Sequence, residues 1–360
     1  MTKSDKVFLF DLLETPSPTG WETSGQRKWA AHVETFADRV ENDAYGTAWA
    51  SLDAAKSESA PTVMIEAHAD EIGYIAKYIS PEGFVYIDRV GGSDAATARG
   101  RMLRFLGEKG DVFGIVGNTA IHIREDRADE KAPKIHELYV DIGAKSKAEV
   151  LKMGIRVGVP AVYTTSAQEF GASRIVGRAL DNRIGGYIIA KVLEKISKDK
   201  KRPAFNVVAV NSVQEEIGGY GAKMATHRLM PDVCLCLDVT HATDTPGIKK
   251  EIHGDTVLGG GPTITHGTCN HPQVVEKLMA VAKAKKIALQ HESSGRYSGT
   301  DTDSIYHVKE GVPSSLISLP LRYMHSVVEM VDLKDVEKTI SLMAEFIRGL
   351  KPKDDFRVKL

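Results

Sequence analysis

Three apolar runs in the second half of the chain limit the possible folds more than any other feature: FNVVAV at 205–210, DVCLCL at 232–237 and SSLISL at 314–319. Segments whose apolar residues recur every three or four positions alternate with these runs, at 182–198, 272–287 and 333–347. Strands that are apolar on both faces, alternating with amphipathic helices, are typical of parallel sheets covered by helices. We therefore predict an α/β fold with a mixed, largely parallel sheet flanked by helices.

The pattern changes between residues 74 and 173. This block contains short strand-like runs separated by frequent glycines, such as GFVYIDRVGG and IRVGVPAVYTT, and only 144–154 is helix-like. Short strands with regular glycine turns predict a small β-barrel or sandwich. We expect residues 1–73 and 174–360 to form one domain, and 74–173 to be an inserted β-barrel-like domain with a structural or assembly role. Its stretch EDRADEKAPK, at 125–134, is predicted to be a charged loop.

The first 73 residues are predicted to begin with two helices. Residues 4–14 have an amphipathic pattern with Ser4 as candidate N-cap, and TPSPTG ends it because prolines and a glycine do not continue a helix. A second helical pattern covers 22–37. The run TVMIEA then predicts a strand that ends directly on His68.

Composition excludes several functional classes. Of 360 residues, 42% are hydrophobic and 26% charged, with a net charge of −1, which is typical of a globular protein and argues against nucleic-acid or membrane-surface partners. No apolar run approaches the roughly 18 residues of a membrane span. The N-terminus lacks a signal-peptide pattern, and three cysteines form no disulfide framework. We therefore expect a cytoplasmic protein.

Polar residues follow the apolar runs, where the ligand-binding side chains of parallel sheets are found. His68 and Asp238 come directly after two of the runs, the adjacent Glu215 and Glu216 lie shortly after a third, and His325 follows SSLISL. Two adjacent carboxylates at the end of a buried strand are costly unless a positive group lies between them. The glutamate pair therefore predicts a bound cation.

Two aspartates extend this set. Asp70 lies two residues after His68, so its carboxylate can hold the imidazole nitrogen that faces away from a metal, although an isolated H-x-D pattern is weak evidence. Asp181 lies between a strand-like run and a helix, where a helix N-cap is an equally good interpretation.

Five residues together offer nitrogen and oxygen ligands for two divalent ions: His68, Asp181, Glu216, Asp238 and His325. If Asp181 bridges the ions, each has three protein ligands and an open position, as in catalytic zinc sites. Two ions about 4 Å apart can share a hydroxide and polarise a carbonyl. Glu215, which is not needed as a ligand, can then move a proton from water to a leaving amine. This arrangement predicts hydrolysis of an amide bond.

Six motifs, in this order and spacing, resemble those of the M42 family of metallo-aminopeptidases: AHADEIG, RALDNRIGG, QEEIGGYGA, LDVTHATDTPG, GTDTD and LPLRYMHS. This is the glutamyl aminopeptidase and tetrahedral (TET) aminopeptidase group of the dinuclear-zinc peptidase clan. The resemblance covers nearly the whole chain, including the β-rich insertion. GGSDAATARGRMLRF is a loose version of the family's insertion motif, and GYGA follows the glutamates where bulkier or basic residues are frequent.

The resemblance implies a role for each site residue. His68, Asp181 and Asp238 match the ligands of one metal, and Asp181, Glu216 and His325 match those of the other. Glu215 matches the general base, and Asp70 the carboxylate that orients His68. The resemblance also implies a cis peptide between Asp181 and Asn182, and an insertion that mediates assembly from dimers, commonly into dodecamers.

The predicted function is that of a dinuclear aminopeptidase that hydrolyses the N-terminal peptide bond of peptides. Zinc is the expected metal, with cobalt or manganese as alternatives. Arg322 is a candidate substrate-binding residue, and His241 is either close to the metals or an ordinary polar residue. Two other functions stay open: a metal-dependent deacylase of small N-acyl substrates, and a non-catalytic assembly protein with the same fold.

Overall fold

The computed structural model describes residues 1–124 and 131–360. Its α-helices, numbered in chain order, are α1 (Lys3–Glu14), α2 (Thr23–Val33), α3 (Ala95–Ala98), α4 (Lys147–Lys152), α5 (Leu180–Ser197), α6 (Tyr220–Leu229), α7 (Lys250–His253), α8 (Pro272–Lys285), α9 (Thr302–Ile305) and α10 (Leu333–Arg348). Its strands are β1 (Arg39–Asn42), β2 (Ala48–Leu52), β3 (Thr62–His68), β4 (Gly73–Ile79), β5 (Val85–Val90), β6 (Met102–Gly107), β7 (Gly110–Val116), β8 (Tyr139–Asp141), β9 (Pro160–Tyr163), β10 (Gln168–Phe170), β11 (Arg174–Gly177), β12 (Asn206–Ser212), β13 (Val233–His241), β14 (Thr263–Gly267), β15 (Gln290–Ser294), β16 (Ser314–Leu321) and β17 (Glu329–Asp332).

Eight strands form the main sheet, in the order β1-β2-β12-β3-β13-β16-β14-β15. The four neighbours β12, β3, β13 and β16 run parallel to one another, while β1–β2, β2–β12 and β14–β16 are antiparallel pairs. The predicted mixed, largely parallel sheet is confirmed. Because the four central strands share one direction, their carboxyl ends meet at the same edge of the sheet, where ligands bind in folds of this class.

Both faces of the sheet are buried, as the continuous apolar runs predict. On β12, Val207 and Ala209 join a core that also contains residues of α1, α2, α5, α8 and α10. Their neighbours Val208 and Val210 join a second core that includes residues of α6 and α9. Successive side chains of a strand point to opposite faces, so a strand with helices on both sides needs apolar residues at every position.

The predicted barrel lies between β3 and β11. Strands β4, β5, β8, β7, β6 and β9 close into a barrel in that order, around a separate core that includes Tyr74, Phe105 and Val140. The brief helix expected within 144–154 is α4, whereas the short helix α3 was not predicted. The outer strands β10, β11 and β17 form a small third sheet beside the barrel and the main sheet. The division of the chain into domains at 74 and 173 stays a prediction.

The start of α1 and the ends of α2 and β13 differ from the sequence-based expectation. Helix α1 begins after Thr2 rather than Ser4, because Thr2 and Asp5 cap each other's backbone N–H groups in a capping box. Helix α2 ends at Val33, four residues before the predicted end. Strand β13 continues past Asp238 to His241, because its parallel pairing with β16 persists to His241 opposite Leu321.

Two further predictions concern the charged loop at 125–134 and membrane spans. Of the predicted charged loop at 125–134, residues 125–130 lie outside the described part of the chain, and 131–134 have no regular secondary structure. Across the described residues, every helix is too short or too polar to cross a bilayer.

Candidate metal centre

The predicted ligands come from five separate parts of the sheet domain and converge on one cavity. His68 is the last residue of β3, Asp238 lies in β13, and Asp181 is in the first turn of α5. Glu216 lies in a single 3₁₀ turn after β12, and His325 lies between β16 and β17. The cavity has a volume of about 510 Å³, and four of these five residues line it, together with Glu215. His68 lies just beneath them and is 2% exposed.

Two groups of three side chains can each hold an ion. In the first, the Nε2 atom of His68 lies 3.2 Å from Oδ1 of Asp181 and 3.6 Å from Oδ1 of Asp238. In the second, the Nε2 atom of His325 lies 3.2 Å from Oδ2 of Asp181 and 3.5 Å from Oε2 of Glu216. Asp181 thus turns one oxygen towards each group, which is the geometry that a bridging carboxylate requires.

The electrostatics of this cluster fit a pair of cations. Burial raises the pKa of Glu216 well above its usual value, and the neighbouring Asp181 raises it further. Its Oε1 atom is buried without a hydrogen-bond partner. Burial alone would lower the pKa of His68, but contacts with Asp181 and Asp238 raise it well above its usual value. Among the described residues, the partners of these acids are histidines and not Lys or Arg. Buried acids of this kind are stabilised when divalent cations occupy the space between them.

Glu215 lies beside the ligands but belongs to neither group of three. Its Oε2 atom is 3.8 Å from Nε2 of His68, and its side chain lines the cavity. Burial raises the pKa of the Glu215 carboxyl well above its usual value, although His68 opposes the rise. A carboxylate in such a position, beside two candidate metal sites without belonging to either, is suited to accept and return a proton.

Asp70 connects His68 to the glutamate pair. Its carboxylate accepts hydrogen bonds from the backbone N–H groups of Glu215 (3.0 Å) and Glu216 (3.2 Å) and from the hydroxyl of Thr19 (2.8 Å). The Nδ1 atom of His68 lies 3.4 Å from the Asp70 carboxylate and 3.2 Å from the Asp70 carbonyl oxygen. Asp70 therefore fixes the turn that carries Glu215 and Glu216, besides facing His68 as the sequence suggested.

Glu329 is a site residue that the sequence analysis missed. It is 2% exposed, and its two carboxylate oxygens accept the backbone N–H groups of Asp181 (3.1 Å) and His325 (2.9 Å). His325 has a φ of 58°, an unusual conformation for a residue other than glycine. Glu329 thus ties together the backbones of the bridging ligand and of a ligand from another loop. An isolated acid inside the apolar stretch VVEMV was the available signal.

The start of α5 is built around Asp181 and Asn182. The peptide bond between them is cis, as the resemblance implied. The side chain of Asn182 accepts a hydrogen bond from the N–H of Gly185 and donates one to the carbonyl of Leu237. Asn182 therefore makes the capping contact at this helix start, which leaves the carboxylate of Asp181 directed towards the two histidines.

Gly92, from the loop after β5 of the barrel, also lines the cavity. A Cβ atom at this position would lie 2.5 Å from Nδ1 of His325. No larger side chain fits there without moving the imidazole, so the barrel side of the cavity closes tightly against a predicted ligand.

The other candidates belong to neither ligand group. The guanidinium of Arg322 forms two hydrogen bonds with Asp244 (2.7 and 2.6 Å) and is not among the residues that line the cavity, so its predicted contact with substrate gains no support. His241 is exposed and lines the cavity. His266 and His291 form a hydrogen-bonded pair with each other (3.0 Å).

The chain is similar to known aminopeptidases over most of its length. The M42 glutamyl aminopeptidase family matches residues 50–342. The lysyl aminopeptidase of Pyrococcus furiosus is 34% identical over 353 residues, which cover 97% of this chain and 99% of the relative. A solved aminopeptidase from the archaeon Desulfurococcus kamchatkensis superposes with a TM-score of 0.90 at 34% identity, over 97% of this chain and 96% of the other. The TET1 peptidase of Pyrococcus horikoshii, which can assemble into a tetrahedron or a large octahedral shell, superposes with a TM-score of 0.85 at 26% identity, over 96% of this chain and all of the other.

Proposed function

The chain belongs to the M42 glutamyl aminopeptidase family of peptidase hydrolases, and from that premise we propose that it removes N-terminal residues from peptides with the help of two divalent metal ions. The observation that carries the proposal is the pair of three-residue ligand groups that share Asp181. His68, Asp181 and Asp238 would hold one ion, and Asp181, Glu216 and His325 the other.

The bound ions would supply Lewis-acid chemistry, which lowers the pKa of a water molecule and polarises the substrate carbonyl. The residues of the chain contribute the rest. Glu215 accepts a proton from the attacking water, whose oxygen forms a bond to the carbonyl carbon. When the carbon–nitrogen bond breaks, Glu215 returns the proton to the leaving amine, so the products are a free amino acid and a shortened peptide.

Asp70 and Glu329 would position these groups. Asp70 holds the backbone of the glutamate pair and faces Nδ1 of His68. Glu329 holds the backbones of Asp181 and His325. Residues of this kind, which contact ligands rather than metal, set ligand orientation and commonly change metal affinity when they are mutated.

Zinc is the proposed resident metal, and cobalt and manganese are the proposed substitutes. The donor set contains two imidazoles and three carboxylates and no thiolate, a combination that zinc accepts. The same combination also binds neighbouring first-row metals, whose occupancy depends on supply as well as on affinity.

The barrel is proposed to mediate homo-oligomerisation, with dimers as building units and a dodecamer as one possible assembly. Its outer surface exposes the side chains of Met102, Phe113 and Ile115 by about half. Met102 and Ile115 are directly opposite each other on β6 and β7, so they form a continuous apolar surface. Exposed apolar surfaces of this kind commonly mark contacts with other chains.

The test of the proposed function is the substitution Glu215→Gln, with Glu276→Gln on the exposed side of α8 as control. Glutamine keeps the shape of the side chain but cannot accept the proton. The variant should keep two metal ions per chain and lose about 10²- to 10⁴-fold in kcat on aminoacyl p-nitroanilides. Full activity with full metal content would contradict the role of Glu215.

Assays of the metal-loaded, unmutated protein distinguish an aminopeptidase from a deacylase. The two reactions differ in whether the substrate carries a free α-amine. Peptides with a free N-terminus should be cleaved, whereas their N-acetylated counterparts should not. Faster cleavage of the acetylated peptides would favour the deacylase, and no cleavage of either by the metal-loaded protein would favour a non-catalytic assembly protein.

A further inference from the structure

The cavity beyond the metal ligands has a charge of one sign. Of the described residues that line it, none is Lys or Arg, and the only charged side chain apart from the ligand groups and Glu215 is that of Asp303. The remaining lining residues in this part are uncharged, among them Thr240, Ser298 and Thr300. Among the described lining residues, an N-terminal side chain that carries a negative charge would therefore find no Lys or Arg to pair with.

Among the described residues, the hydrogen-bond donors to the Asp303 carboxylate are backbone N–H groups and not cations. Its Oδ1 accepts the N–H of Ser298 (3.0 Å) and its Oδ2 accepts the N–H of Gly299 (2.8 Å). Backbone N–H groups stabilise a carboxylate but do not cancel its charge. The loop 298–303 is thus folded around an acid at the wall of the cavity.

A second carboxylate lies directly behind this part of the wall. Glu292 accepts hydrogen bonds from the hydroxyls of Thr240 (2.7 Å), Ser318 (3.1 Å) and Thr265. Thr240 lines the cavity, so the Glu292 carboxylate contacts a residue of the cavity wall. All three described partners are hydroxyl groups, which carry no positive charge.

Two arginines that are close in sequence to residues of the cavity wall contact other partners. Arg322 is held by both oxygens of Asp244. Arg296 lies two residues before Ser298, but its guanidinium stacks over the ring of Tyr297, 4.9 Å from the ring centre, and does not line the cavity. Neither arginine offsets the two carboxylates.

We infer that the cavity selects peptides whose N-terminal residue is basic, lysine or arginine, and that Asp303 and Glu292 supply the selecting charge. This inference rests on the proposed aminopeptidase function and adds the substrate class to it. The α-amine and the scissile carbonyl must lie at the ligand groups, so the side chain of the N-terminal residue enters the rest of the cavity. There a cationic group is attracted by both carboxylates, while an acidic group is repelled.

The first experiment compares p-nitroanilides of lysine, arginine, leucine and glutamate with the metal-loaded enzyme. The kcat/KM for the lysine and arginine substrates should exceed that for the glutamate substrate by about 100-fold or more, because like charges placed together in a binding site cost several kcal/mol. The ratio of lysine to leucine should fall as sodium chloride is added, since salt screens the attraction. Equal or faster cleavage of the glutamate substrate would overturn the inference.

The second experiment removes one charge by Glu292→Gln. Hydroxyl groups can accept as well as donate, so Thr240, Thr265 and Ser318 can reorient towards a glutamine. The ratio of kcat/KM for lysine over leucine should fall about three- to tenfold, whereas Glu276→Gln, a charge change far from the cavity, should leave that ratio unchanged. Asp303→Asn is the second variant, in case Glu292→Gln does not fold. A ratio that neither variant changes would overturn the assignment of the selecting charge.

The outcomes separate this inference from the function on which it depends. An enzyme that cleaves leucine and glutamate substrates as well as lysine substrates contradicts the basic preference and leaves the aminopeptidase intact. A metal-loaded protein that cleaves none of the four contradicts the aminopeptidase itself, and the inferred preference with it.

Discussion

The sheet edge and the barrel of this protein differ in the polar groups that they bury. At the sheet edge, buried acids and histidines lie close together. Further buried acids, Asp70 and Glu329, accept hydrogen bonds from the backbone N–H groups of these residues. In the barrel, the core is apolar, and apolar side chains such as Phe113 and Ile115 also lie on the outer surface. Apart from Gly92, which lines the cavity, the barrel residues named here lie away from the acids, so mutations of the outer barrel surface and mutations of the acids should have separable effects.

The largest effect is expected from removing the metals. Treatment with a chelator should abolish peptidase activity and lower the melting temperature, because the buried acids are left without cations while the folded state loses the free energy of metal binding. Peptidase assays measure the activity and scanning calorimetry measures the melting temperature, each before and after zinc, cobalt or manganese is returned. Activity that persists in protein shown to be metal-free by elemental analysis would contradict a metal-dependent site.

A smaller effect is expected from Glu329→Gln. A glutamine has one carbonyl oxygen, so it can accept the N–H of Asp181 or of His325 but not both, and one buried N–H is left unpaired. We expect about 10- to 100-fold weaker metal binding.

Titration with Co²⁺, followed by its visible absorption spectrum, measures the effect of Glu329→Gln without relying on catalysis. A merely structural role would lower the melting temperature and leave the Co²⁺ spectrum unchanged. Glu276→Gln is the matched control, because it makes the same chemical change on an exposed helix face.

Thr19→Val tests the hydrogen bond that the Thr19 hydroxyl donates to Asp70, the residue that holds the backbone of the glutamate pair. Valine has the shape of threonine but cannot donate to Asp70, which would keep only its backbone donors near the glutamate pair. We expect about a tenfold loss in kcat/KM, since a hydrogen bond to a charged group is worth about 1.5 kcal/mol or more. Thr19→Ser restores the hydroxyl and should restore the rate, and a serine variant as slow as the valine variant would show that packing, not the hydrogen bond, matters.

The smallest effect on catalysis is expected from Ile115→Lys on the barrel. A lysine in the apolar surface formed with Met102 should reduce the mass of the assembly in light scattering, because a charge in an apolar interface is costly to bury. The rate per subunit should stay within about twofold. Ile252→Lys, which changes a more exposed isoleucine outside the barrel (66% against 52%), should leave the mass unchanged. An unchanged mass for Ile115→Lys would exclude this face as a contact.

The sequence predicted those features that depend on local pattern. Apolar runs gave the parallel strands, and their carboxyl ends led to His68, Asp238 and the glutamate pair, which the structure brings together. Glu329 was missed because its role depends on β17 pairing with β11 and placing it beside α5, which no local pattern encodes. Likewise, the barrel could be expected from its short strands, but the order β4-β5-β8-β7-β6-β9 could not, since it arises from non-local pairing.

The tight contact between Gly92 and His325 has a consequence for engineering. A protein engineer who wanted a smaller enzyme would be tempted to replace the whole insertion with a short linker between β3 and β11. Because the insertion supplies Gly92, whose missing side chain leaves just enough room for the imidazole of His325, such a truncated enzyme would lose part of the wall of its own reaction chamber. A minimal version of this protein would have to retain the β5 loop.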